Sequence, residues 1–84
     1  MASRRELIRA IDLALSGKWD EAHKLVQKHD NDERANHIHA ILHRQEGDKE
    51  NAMYWYQRAG FSEWPNTDPD GQLLRLRDEL NHQY

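Results

Sequence analysis

The chain has no cysteine. That excludes disulfides, thiolate metal sites and cysteine nucleophiles together, and it fits a reducing cytoplasm. Only two of the 84 residues are proline and four are glycine, so helix breakers are few and each marks a boundary. No apolar run approaches the roughly 18 residues of a membrane span, and residues 1–6 lack the apolar stretch of a secretion signal. A soluble cytoplasmic protein with no membrane partner is expected. Net charge is −3 with mixed signs, so there is no basic surplus to displace counterions from nucleic acid. The hydrophobic fraction of 37% is low enough to raise disorder. Three Trp, three Tyr and regularly spaced Leu and Ile argue against it.

Also missing are a glycine-rich phosphate loop and a nucleophile-elbow sequence. Ser3, Ser16 and Ser62 each fall at a cap or turn, where a hydroxyl satisfies backbone amides. The acidic residues concentrate at helix starts and exposed faces. The expectation is therefore no enzyme, no catalytic residue and no cofactor.

What is present is helical period. Ser3 and Glu6 form a capping-box pattern, followed by Leu7, Ile11, Ala14 and Leu15 on one face and Gly17 as the stop. A second helix begins near Trp19, with Ala22, Leu25 and Val26 apolar. Turn chemistry at residues 29–32 precedes a third helix carrying Ala35, Ile38, Ile41 and Leu42 and ending at Gly47. Asp48 caps a fourth helix with Ala52, Trp55, Tyr56 and Ala59, stopped by Gly60. Residues 61–67 read as a loop, since Pro65 bars helix and Asn66 and Thr67 favour turns. Asp68 and Pro69 then open a fifth helix with Leu73, Leu76 and Leu80 inward and Leu74 alongside. No stretch alternates with the strand period. The predicted core is Leu7, Ile11, Leu15, Trp19, Ala22, Val26, Ile38, Ile41, Leu42, Ala52, Trp55, Tyr56, Ala59, Leu73, Leu76 and Leu80.

The chain nearly repeats itself 30 residues on: Ile8, Ala10, Ile11, Gly17, Ala22 and Gln27 return as Ile38, Ala40, Ile41, Gly47, Ala52 and Gln57. Repeats of this length are helix pairs that stack, because one pair alone cannot bury its apolar face. Residues 17–22 and 47–52 each resemble the turn of a tetratricopeptide-type repeat, with a glycine closing one helix and an alanine on the next. Residues 52–59 are similar to the Sel-like branch, and residues 39–60 resemble small microbial proteins of this type. Arg9 and His29 depart from the pattern, and the spacing is shorter than the usual 34 residues or so. The resemblance implies an all-α fold: a right-handed five-helix stack of two antiparallel pairs (about residues 4–29 and 31–60) with a C-terminal capping helix (about 69–82), in one domain over 1–84. It also implies a protein or peptide partner. The fifth helix would shield the last pair's apolar edge.

Function is read as non-catalytic protein interaction, with a groove lined by the first helix of each pair. Arg5, Arg9, Asp12, His37 and Arg44 are the candidate contacts, and homodimerisation through an exposed face is an option. Trp64 could anchor a partner, but a plug between the fourth and fifth helices is preferred. The alternative function is metal binding. His39 and His43 stand four apart on one helical face and Glu46 lies one turn on, a spacing that can chelate. Packing or surface roles are expected for this pair, since a zinc site needs three protein ligands. His37 points elsewhere and does not complete a triad by local spacing. Protonating the six histidines near their ordinary pKa of about 6.5 would reverse the net charge. Exposed polar histidines are expected in place of such a switch.

Overall fold

A computed structural model describes residues 2–64 and 66–82. Five α-helices follow one another: α1 Arg4–Leu15, α2 Trp19–Gln27, α3 Glu33–Gln45, α4 Lys49–Arg58 and α5 Pro69–Asn81. No strand occurs among the described residues. Pro65, read above as a helix breaker, lies outside them.

The helix boundaries follow from local chemistry. The Ser3 hydroxyl accepts the Glu6 amide and the Glu6 carboxylate accepts the Ser3 amide, both at 3.1 Å, completing the capping box. Asp32 caps α3 by accepting from the amides of Arg34 and Ala35, and Asp48 caps α4 by accepting from Asn51. Asp68 stands at the cap of α5 without a side-chain bond, and Pro69 supplies the start.

α1 and α3 end alike. Gly17 and Gly47 have φ of 79° and 84°, the left-handed region that glycine enters without a Cβ clash. Around each, two reverse bonds form. Lys18 N–H donates to Leu13 and Gly17 N–H to Ala14; Asp48 N–H donates to His43 and Gly47 N–H to Arg44. These are Schellman closures, and they turn the chain back at once into the next helix.

α1 packs on α2, α3 on α4, and α2 on α3. Ala10, Ala22, Ala40 and Ala52 are fully buried, so small side chains stand where the helices close on one another. Leu7, Ile11, Val26, Ile38, Ile41, Leu42, Tyr56, Leu73, Leu76 and Leu80 form the core with them, as the periodicity predicts. Leu15, Trp19, Trp55 and Ala59 differ: they are half-buried. Leu15 and Ala59 lie at helix ends, Trp19 opens α2, and Trp55 keeps one face for Arg58, whose guanidinium sits 5.0 Å from the ring.

α5 corrects an expectation. It lies on α1 and α3, the first helices of both pairs, and fills the face between them. Arg77 of α5 reaches Asp12 of α1 at 2.7 Å. Periodicity gave α5 its buried Leu73, Leu76 and Leu80 but could not choose which face they would cover. Leu74 stays half exposed at 48%. No helix among the described residues is long and apolar enough to cross a membrane.

Candidate functional site

The six candidate partner residues do not form one surface. Arg5, Arg9 and Asp12 border a shallow depression on the outside of α1. Arg44 turns inward: it donates to Gln72 Oε1 at 2.8 Å, to the Thr67 carbonyl at 2.7 Å and to the Tyr56 hydroxyl at 3.4 Å. Trp64 folds in against the Tyr56 ring and beneath the Arg44 guanidinium, at 5.8 and 5.5 Å. That contact is with α4 and α3. His37 Nε2 accepts from Gln72 Nε2 at 2.9 Å, and the ring packs on Phe61. Burial pushes the His37 pKa down to about 4.

His37 borders a cleft of about 420 Å³ between α3, the end of α4 and α5. Its floor is Ala59, Phe61, Leu76 and Leu80, and its rim carries Glu33, Arg34, Arg75 and Glu79. Arg34 is committed elsewhere, to Asp32 and to the Ala2 carbonyl. The rim thus carries two carboxylates and two guanidinia, with Arg75 the guanidinium not tied to Asp32 and Ala2.

A second arrangement lies on the other side of α3. His39 and His43, one turn apart, are both buried, and His23 of α2 comes to meet them. His39 and His23 bring their Nε2 atoms to 3.0 Å. One ring nitrogen from each of the three lies within 4.8 Å of the others. His43 Nδ1 sits 2.7 Å from the Glu46 carboxylate. A carboxylate only accepts, so Nδ1 carries the proton and the lone pair of His43 is on Nε2.

Two indoles hold the rings. Trp19 stacks on His23, with centroids 4.6 Å apart and planes within 16°. Trp55 stacks on His39 at 3.9 Å, again within 16°. The Trp19 N–H donates to the Leu42 carbonyl at 2.7 Å, which fixes that ring against α3. The helical spacing explains the gathering: Trp19 and His23 are four apart on α2, as His39 and His43 are on α3.

The electrostatics keep His23 and His39 neutral. Burial, then the neighbouring His23, His43 and Arg58, pushes His39 down to about 3. Burial and His43 also lower His23, against a smaller upward pull from Glu46 and Asp20. Neutral imidazoles keep a lone pair each. His39 Nδ1 is buried with no partner. An unsatisfied buried polar atom costs about 1–3 kcal/mol, so packing alone leaves this nitrogen unexplained.

The histidines thus correct the picture of exposed polar residues. His39 and His43 are buried, His23, His29 and His37 are half-buried, and only His82 is exposed. The interhelical packing expected for His39 and His43 is observed. Glu46 stands behind His43, and His23, which local spacing on α3 could not supply, completes the triad.

No protein family, curated protein or solved structure matches this chain.

Proposed function

We propose that the chain is a non-catalytic interaction module of the tetratricopeptide-like, Sel-like type, with two helix pairs and α5 as the closing element. Its partner is a peptide segment in which an apolar side chain adjoins a basic one. The cleft beside α5 carries this reading. An apolar floor with a polar, charged rim is the anatomy of a contact surface. Glu33 and Glu79 on that rim offer carboxylates to a basic neighbour of the apolar anchor. The duplicated glycine closures and buried alanines support the repeat assignment.

Selection from a random peptide library on the immobilised chain tests it. The selected sequences should pair a large apolar residue with Lys or Arg, and Glu33→Lys combined with Glu79→Lys should abolish their binding. Binding that survives both the double reversal and Phe61→Ala would contradict the reading. Sedimentation at increasing concentration separates the other option, in which a second copy covers the exposed face.

A further inference from the structure

We infer that His23, His39 and His43 form a binding site for a divalent first-row transition metal ion of the zinc class. The cluster lies across α3 from the peptide cleft and shares no residue with it.

Three imidazoles from two helices converge in one place. A tetrahedral zinc site with bonds of about 2.0–2.1 Å separates its ligand atoms by about 3.3 Å. The His23 and His39 Nε2 atoms stand at 3.0 Å, and the full set lies within 4.8 Å. Ligation therefore asks the more distant of the three nitrogens to close by up to about 1.5 Å.

The surroundings supply part of what metal-bound histidines require. A ligating imidazole has its second nitrogen held by a carboxylate or a carbonyl, which fixes the ring and raises its basicity. Glu46 does this for His43. Trp19 and Trp55 wall the site on two sides and hold His23 and His39 in plane. The close approach of two imidazole nitrogens is the independent sign: His39 is 1% exposed, and its Nε2 meets the His23 Nε2 at 3.0 Å.

The donor set chooses the ion. Three nitrogen donors without thiolate suit zinc, nickel, copper or cobalt, whereas magnesium and calcium require oxygen. A second grouping, His43 with Glu46 and Asp48, also lies within 4.8 Å. Its carboxylates are already employed, Asp48 as the α4 cap and Glu46 on His43. Glu46 is therefore a positioning residue, and the fourth coordination place is left to water or an external ligand. Because His23 belongs to α2 and the other two to α3, the ion fastens the first helix pair to the second.

Tag-free protein titrated with Zn²⁺ against a chromophoric chelator, and with Co²⁺ for its visible spectrum, tests the site. One equivalent of Zn²⁺ should be taken up, and Co²⁺ should show the intense bands of four-coordinate geometry. His23→Ala should weaken Zn²⁺ binding by more than the roughly 100-fold upper range of outer-shell effects. Glu46→Gln should weaken it about tenfold while leaving the Co²⁺ bands in place. His82→Ala, far from the cluster, should bind as the parent does. Absence of Zn²⁺ uptake and of four-coordinate Co²⁺ bands in the folded parent protein overturns the site without recourse to any variant. So does equal uptake by the parent and His23→Ala.

Discussion

The Trp19 indole N–H donates to the carbonyl of Leu42 at 2.7 Å, binding the first turn of α2 to the last turns of α3. The same ring stacks on His23. One side chain thus joins the two helix pairs and orders the histidine cluster. Trp19→Phe keeps a ring and removes the donor. It should lower stability by about 1 kcal/mol, seen as a lower urea midpoint with an unchanged slope. No shift in the midpoint would mean that the bond contributes nothing to the seam.

Gly47 has φ of 84°, and a Cβ built there meets nothing within 4 Å. The cost of Gly47→Ala is then backbone strain alone, about 1–2 kcal/mol. Thermal or urea unfolding measures it directly. Gly17→Ala, with φ of 79° and equally open space, should cost the same within error.

Asp32 links two distant segments. One oxygen caps α3 while the other accepts the Ala2 amide at 3.1 Å, and the side chain is nearly fully buried. Burial raises its pKa, but the amides of Arg34, Ala2 and Ala35 and the Arg34 charge together outweigh it and hold the carboxyl below its ordinary value. Asp32→Ala should cost about 2 kcal/mol, a lost cap plus an unpaired amide. Proteolysis or hydrogen exchange should show the segment before α1 released in that variant.

His37 sets an acid dependence. Its folded pKa of about 4 lies below its unfolded value of 6.5 because the ring is buried. Between those values the unfolded chain binds more protons, so stability must fall as pH falls. The full contribution is present above pH 6.5 or so and is lost progressively toward pH 4. Glu33, Arg34, Arg75 and Glu79 face the same cleft, and Arg44, Tyr56 and Gln72 share its network. Urea titrations with a chelator present should give a steeper fall with acid for the parent than for His37→Gln.

Much of the fold was legible because punctuation and period agreed. Ser3, Gly17, Asp32, Gly47, Asp48, Gly60 and Pro69 sit at helix boundaries, and each acts through the backbone geometry or the capping chemistry that marks it in the sequence. Which faces meet was harder. α5 announces an apolar stripe, yet a stripe does not name its partner, and the covering of α1 and α3 depends on tertiary fit such as Arg77 reaching Asp12. Arg44 and His37 look like groove contacts on α3 for the same reason: their bonds to Gln72 come from a helix 28 and 35 residues away.

The histidine cluster was half legible. His39 and His43 share a face by helical spacing. His23 lies 16 residues before His39, and only the packing of α2 on α3 brings it in. The available signal was the parallel spacing of Trp19 with His23 on a neighbouring helix. It pairs an aromatic ring with an imidazole on each side of the seam, as Trp55 does with His39.

The most direct measurement of the seam is the X-ray absorption fine structure of the zinc-loaded protein at the zinc edge. A nearest shell of nitrogen at about 2.0–2.1 Å, with the outer-shell scattering of three imidazole rings, is the predicted result. A shell of oxygen donors alone, with no imidazole scattering, would contradict it.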